Sequence, residues 1–313
     1  MSAGTPLLSF VVVMYDMPEQ ASRTLYTLSP AYQRNVRPED YEVVVVENAS
    51  ERLLGAERAV GSGPNVRYFL SDQRASSPAF AVNFGVSHAR GAMLALMVDG
   101  ARLVTPGIVE TALLAARAHA NAIVSVPGYH IGSELQQRAV ASGYDAAAEA
   151  ALLASISFPE DGYRLFDVAC FSGSCAGGFF LPYAESNCLC LSRASFDTLG
   201  GFDERFVSRG GGYVNLDFYV RANELRNTTL FVTPGEGTFH QFHGGITTGG
   251  LREEARERLM GDILAEYKLL RGRDFTMPAR EAVYLGRIPA NARRFLEQSL
   301  HGWNRAAARA PAP

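Results

Sequence analysis

Apolar residues in this chain alternate between short continuous runs and stretches with helical spacing. Residues 9–16, SFVVVMYD, are β-branched and aromatic, which predicts a strand, and Pro18 and Glu19 then open a segment in which Leu25 and Leu28 suit a helix. YEVVVVENAS at 41–50 repeats the theme with an uninterrupted apolar run, as expected of a strand buried on both faces of a parallel sheet. A weaker strand, NVRYFLS at 65–71, precedes the helix-like PAFAVNFGVSHARG, which ends at Gly91 and leads into the strand MLALMVD. This alternation within the first hundred or so residues predicts a doubly wound α/β sheet. Ligands of such sheets bind outside the carboxyl ends of the strands, so Asp16, Glu47 and Asp99 are all expected on one rim.

Downstream the pattern loosens. Thr105 is placed to cap a helix over GIVETALLAARAHA, with Pro106 in its first turn. AIVSVPGYH at 122–130 reads as a strand, 144–155 as an alanine-rich helix, and the glycines of 166–180 as loops. NCLCLSRASFDTLGGFDERF at 187–206 reads as strand, short helix and turn, and YVNLDFYVRANEL as a helix. The strand-like TLFVTP precedes TFHQFHGGITTGG, and LREEARERLMGDILAEYKLL at 251–270 is an amphipathic helix. From about 279 the pattern is helical, ending in an Ala/Arg/Pro tail expected to be disordered. No internal repeat is evident.

Composition narrows the function classes. The chain has 313 residues, 47% hydrophobic and 19% charged, with a net charge of -3, so nothing draws it generally to nucleic acid or anionic membrane. Its apolar runs fall well short of the roughly 20 residues that cross a bilayer, and its N-terminus lacks a signal-peptide pattern. A cytoplasmic location is therefore expected. The four cysteines, Cys170, Cys175, Cys188 and Cys190, lack paired CxxC spacings and read as buried thiols, Cys188 and Cys190 on one strand face.

These motifs, in this order, resemble family 2 glycosyltransferases of GT-A fold. VVVMYDMPEQASRTLYTL is similar to that family's first strand and helix, and YEVVVVENAS to its second strand. PAFAVNFGVSHARGAMLALMVDGARLVTPG resembles the segment leading to its DxD motif, and LSRASFDTLGGFDERF its acceptor-side GGFDE segment. The resemblance spans about residues 7–245. It implies an α/β GT-A domain over 1–250, with a nucleotide-sugar half at 1–105 and an acceptor half at 106–250, followed by a helical extension at 251–313.

The resemblance further implies inverting transfer of a sugar from a nucleotide-diphosphate donor, UDP-linked by preference, to a glycan, lipid-linked or small-molecule acceptor. Glu47 would accept the uracil N3–H, Met14 and Tyr15 would frame base and ribose, and Asp16, Asn48, Arg74 and Asn83 would lie near the donor. Asp99 is the first acid of the DxD, but Gly100 and Ala101 occupy its other positions. That leaves a shortage of ligands for the divalent cation, manganese or magnesium, that neutralises a leaving diphosphate, so the chain is either metal-independent or finds ligands elsewhere. His240 and His243 of TFHQFHGG would make good the shortage, with His240 the ligand and His243 supporting it, and the glycines beyond would expose amides to phosphate.

Where the family carries an acidic pair for the catalytic base, this chain has Val214 and Asn215, with an acid surviving at Asp217. Asparagine takes no proton at neutral pH, so the base is expected to be Asp217, with Asp203 and Glu204 as alternatives. Arg221, four residues on, would pair with Asp217 and lower its basicity. Arg209 would lie near the diphosphate or in solvent. Arg293, Arg294 and Trp303 in the last helix would make a peripheral membrane contact or simply pack. Two other classes stay open: a sugar-nucleotide or glycan binding protein that kept the fold and lost the chemistry, and a nucleotidyltransferase, which MYDMPEQ, lacking any glycine, argues against.

Overall fold

The computed structural model describes residues 5–73, 77–244 and 253–308. Strands β1 (Leu8–Met14), β2 (Tyr41–Asn48) and β3 (Val66–Ser71) alternate with helices α1 (Pro18–Thr27), α2 (Ala56–Gly61) and α3 (Ala79–His88), and β4 (Met93–Met97) follows. Next come β5 (Arg102–Val104), α4 (Ile108–Ala118), β6 (Ala122–Ser125), β7 (Gly128–Ile131), α5 (Gln136–Ala141), α6 (Ala146–Ser155) and β8 (Ala169–Phe171). The chain continues through β9 (Leu189–Ser192), α7 (Arg193–Leu199), α8 (Val214–Glu224), β10 (Thr229–Val232) and β11 (Thr238–His240). Helix α9 (Glu253–Arg271), the short β12 (Val283–Tyr284) and α10 (Arg293–Ala307) complete it.

Every residue of β1 and β2 is buried: apolar runs fill their middles, and the polar Ser9 and Glu42 bond each other at 2.8 Å. The main sheet has eight strands in the order β12-β10-β6-β9-β4-β1-β2-β3. All its pairings are parallel except those of β9, which runs antiparallel between β4 and β6. The period of two divides its residues between two cores. Phe10, Val12, Val43, Val45, Ala95, Cys188 and Cys190 face α1 and α4, whereas Val11, Val13, Val44, Val46, Leu94 and Leu191 face α3 and α8. Tyr267 of α9 joins this second core.

A second sheet has four strands in the order β5-β11-β7-β8. Its core is aromatic: Tyr129 stacks on Phe171 and Phe239 at centroid distances of 5.2 and 4.9 Å, and Phe295 of α10 meets Tyr129 edge-on at 4.8 Å. Helix α10 is thereby a packing helix. Phe295 and Ser299 are fully buried, Arg294 bonds the Phe166 and Ala169 carbonyls, and Trp303 stays half-exposed on the outer face.

Four expectations need correction. Thr105 does not cap α4, whose N-cap is Gly107; its hydroxyl donates to Glu236 instead. The stretch 122–130 is two strands in two different sheets, because Pro127 interrupts the ladder between β6 and β7. Residues 279–292 form no α-helix: Gly286 at φ 101° and Pro289 precede α10, and β12 pairs with β10. Residues 166–180 include β8 and two turns of 3-10 helix, and Cys170 is only half-buried.

Gly85 shows how closely α3 lies on the sheet. An alanine usually stabilises a helix interior relative to glycine, but a Cβ here would stand 2.5 Å from Val11 Cγ1 and 3.0 Å from Val46 Cγ2. Gly85→Ala should therefore destabilise the fold by about 1–3 kcal/mol, the range for overpacked cores. Urea denaturation checks this, and a midpoint unchanged or raised would contradict the close approach.

Candidate functional site

The rim of the main sheet is built where β1, β2 and β4 end. Tyr15 and Asp16 follow β1. Tyr15 is exposed, and Asp16, at φ 53°, accepts hydrogen bonds from Arg52 at 3.0 and 3.3 Å. Asn48 closes β2 and is buried. After β4 the chain turns sharply. Gly100 lies so close to β1 that a Cβ would come within 2.8 Å of the Val13 carbonyl oxygen, and Thr24 donates to the Gly100 carbonyl at 2.6 Å. Ala101 is fully buried in the first core. Both small residues thus have a physical explanation: a side chain at 100 would collide with β1, and an acid at 101, the one the DxD pattern lacks, would be a carboxylate in hydrocarbon.

Asp99 itself faces the second sheet. Its Oδ1 accepts the Ala101 amide at 3.0 Å, while its Oδ2 lies 3.1 Å from His240 Nε2 and 3.3 Å from Arg102 Nε. His243 Nε2 is 3.8 Å from Asp99 Oδ1 and 3.2 Å from His240 Nε2. Register explains the grouping. His240 on β11 stands opposite Arg102 on β5 and opposite His130 on β7, so all three occupy one row across the small sheet. The segment after β11 is fastened on both sides. Gln241 Nε2 donates to the Gln20 carbonyl and to Thr24 Oγ1, each at 3.1 Å, Gln20 donates to the Phe242 carbonyl at 2.7 Å, and Glu149 accepts the Phe242 amide at 2.6 Å.

Burial pushes His240 down to about 4 and His130 down to about 3, so both imidazoles are neutral at pH 7, and His130 Nδ1 already accepts the Gln136 amide at 2.9 Å. Burial opposes ionisation of Asp99, but His240, His243 and Arg102 outweigh it and hold the carboxyl well below the usual range. Donor atoms of Asp99, His240 and His243 lie within 4.8 Å of one another. Two imidazoles and a carboxylate at these spacings suit one face of an octahedral cation, where ligands about 2.1 Å from the ion stand about 3 Å apart. The residues present therefore fit a divalent ion. Close by, His240 Nδ1, Arg102 Nη1 and both side-chain polar atoms of Gln136 are buried without a hydrogen-bond partner.

Residues 24–245 match the family model described as glycosyltransferase like family 2. The chain belongs to that family. It is 26% identical over 238 residues to validoxylamine A glucosyltransferase of Streptomyces hygroscopicus subsp. limoneus, covering 72% of this chain and 50% of the relative, so it spans about half that relative's length. Its fold is similar to that of mannosyltransferase PcManGT from Pyrobaculum calidifontis in complex with GDP-Man and Mn2+, with a TM-score of 0.53, 15% identity and coverage of 99% and 77% of the two chains. It is also similar to S. aureus TarS 1-349 in complex with UDP-GlcNAc, with a TM-score of 0.50, 13% identity and coverage of 94% and 72%. The architecture is thus the mixed, mostly parallel sheet of GT-A glycosyltransferases.

Against this family pattern, several expected roles shift. Glu47 is buried beneath the loop after β2, where its carboxylate accepts the Leu54 and Gly55 amides and the Tyr68 hydroxyl at 2.7, 3.0 and 2.8 Å. It shapes that loop, which leaves little of it for a base edge. Asn83 spans to the GGFDE segment, bonding the Phe202 amide and carbonyl and Glu204, so its amide is committed away from a donor. Arg74 lies outside the described residues, as does the glycine run beyond Gly244. Arg209 is exposed, in a 3-10 turn before α8.

Asp217, the expected base, is closed in. Asp217 is 1% exposed, with Oδ1 bonded to Arg271 Nε at 2.5 Å and Oδ2 to Arg271 Nη2 and Arg221 Nε at 2.7 and 2.8 Å. A carboxylate clasped by two guanidiniums and sealed from solvent takes no proton from an acceptor, so Asp217 is structural. Asp203, held well below its ordinary range by Arg205 and then Arg271, shares that network, and Glu204 bonds Asn83. Asn215 instead donates its amide to Glu185 Oε2, a residue the sequence reading passed over. The available signal was an isolated acid entering the apolar strand NCLCL.

Asp217→Asn should destabilise the protein by about 3–5 kcal/mol, because Arg271 and Arg221 lose their buried counter-charge, while nucleotide and metal binding stay intact. Thermal denaturation alongside calorimetry checks this. A variant of native stability that has lost binding would return Asp217 to the site.

Proposed function

We propose that this chain is an inverting glycosyltransferase that moves a sugar from a nucleotide-diphosphate donor, UDP-linked by preference, onto an acceptor hydroxyl. The observation that carries the reading is the Asp99, His240 and His243 cluster at the carboxyl rim of a GT-A sheet. The relatives support the donor class: one is a glucosyltransferase, and two similar folds were solved with UDP-GlcNAc and with GDP-Man and Mn2+.

In this reading Asp99, His240 and His243 hold a divalent cation, manganese or magnesium, which supplies positive charge to the departing diphosphate. Arg102 adds a fixed charge beside them, and its free Nη1 is placed to meet a phosphate oxygen. Tyr15, Asp16 and Asn48 border the face on which nucleoside would rest, with Tyr15 offering an exposed ring. The acceptor is a hydroxyl of a glycan, lipid-linked intermediate or small molecule. A cytoplasmic setting suits the free cysteines, and no helix among the described residues is long and apolar enough to cross a membrane.

The test is calorimetric titration with UDP, GDP, dTDP and ADP, each with manganese and then with EDTA. UDP should bind in manganese and bind at least about tenfold more weakly in EDTA or in Asp99→Asn, the loss expected when a metal site is impaired. Binding that survives EDTA would sink the cation role, and no binding to any of the four would sink the donor site.

A further inference from the structure

Asp203 and Asp217 are held by arginines and Glu204, exposed on the GGFDE segment, accepts from Asn83, so a carboxylate for proton removal is sought at the rim itself. Glu185 sits where one is needed. Strand β9 runs antiparallel to β4 with Leu189 opposite Leu96, so the chain approaching β9 through Glu185 passes the residues that carry β4 on to Asp99. Ser186 fixes this approach, accepting the Val126 amide and donating to the Val126 carbonyl at 3.1 and 3.0 Å. Glu185 therefore stands at the same rim as Asp99, on the side of β4 away from β1.

Its environment differs from that of Asp217. Glu185 Oε1 accepts from Ser174 Oγ at 2.8 Å and Asn187 Nδ2 at 3.4 Å, and Oε2 accepts from Asn215 Nδ2. All three donors are neutral. Among the described residues no arginine, lysine or histidine forms an ion pair with it, and it is neither fully buried nor fully exposed. Neutral donors orient the carboxylate without pairing its charge, and Oε2 has a second lone pair to offer. Asn215, unable to accept a proton itself, holds in place a carboxylate that can.

We infer that Glu185 is the general base of this transferase, oriented by Asn215 and Ser174. The assignment rests on the glycosyl-transfer reading above. In the step, the acceptor O–H gives its proton to Glu185 Oε2 as the acceptor oxygen bonds the anomeric carbon. The bond from that carbon to the phosphate oxygen breaks, its electron pair leaves with the nucleoside diphosphate, and Glu185 later returns the proton to water.

The titratable groups facing Glu185 are Tyr213, at the start of α8, and Cys175, beside Ser174. Burial pushes both up, Cys175 to about 12, with the Glu185 charge adding to each. Neither titrates in the acid range, whereas His240 of the cation cluster does, so the acid limb that reports Glu185 is the one that Glu185→Gln removes.

The experiment follows nucleoside diphosphate release from UDP-glucose, UDP-GlcNAc and GDP-mannose, with water as acceptor, for wild type, Glu185→Gln and Asn215→Asp, with the affinity of each for the released nucleotide. Glu185→Gln should slow release by about 10²- to 10⁴-fold, the range for a lost general base, and lose the acid limb, with nucleotide affinity within about threefold of wild type. Asn215→Asp sets a second carboxylate against Glu185 and should move the acid limb to higher pH, which a merely structural amide would not do. Release by Glu185→Gln within about threefold of wild type, or loss of its nucleotide affinity in parallel with rate, overturns the assignment alone. Wild-type protein that neither binds nor releases any of the nucleotides overturns the transferase reading, and the base with it.

Discussion

The site depends on one contact, the 3.1 Å approach of Asp99 to His240, which joins the rim of the main sheet to the small sheet. The main sheet delivers Asp99 just beyond β4, and the small sheet delivers His240 as the last residue of β11. The turn between β4 and β5 must be tight enough to bring Arg102 into the same row, which explains the small residues at 100 and 101. A one-residue slip of β11 against β5 would turn His240 to the opposite face and leave Asp99 and Arg102 facing each other alone. The aromatic core behind the row, Tyr129 between Phe171 and Phe239, holds that register.

Charge is handled differently on the two sides of the sheet. Around α8 and α9 the ion pairs are closed: Arg271 bridges Asp203 and Asp217, Arg221 completes the set, and α9 is tied to α8 as a result. Such a network fixes geometry but leaves no charge free to act. At the rim the polar groups are left open. His240 and His130 are neutral, Arg102 and Gln136 keep unpartnered atoms, and the Glu185 carboxylate is bonded only by neutral donors. Unpartnered buried groups are costly in a finished core and ordinary in a cavity that a ligand fills.

Much of this was legible in the sequence, for definite reasons. Uninterrupted apolar runs announced β1 and β2, and their carboxyl ends announced the rim, because a parallel sheet admits few other arrangements. The His240, His243 and Asp99 grouping was legible from motif order. What stayed hidden depends on contacts remote in sequence. Asp217 reads as a free helical acid until Arg271, 54 residues away, closes over it, and Asn83 reads as a donor contact until it meets Phe202, 119 residues away. Glu185 gave no periodic signal at all, since its position follows from the antiparallel pairing of β9 with β4. The second sheet was equally opaque, its strands being only three or four residues long.

The central claim is that one divalent ion is shared by Asp99, His240 and His243. It is tested most directly by anomalous diffraction from crystals grown with UDP and manganese, measured on both sides of the manganese edge. The account predicts a single strong anomalous peak bounded by the Asp99 carboxylate and both imidazoles, with the diphosphate on its open side. Bound UDP with no peak there, or a peak elsewhere on the protein, would contradict it.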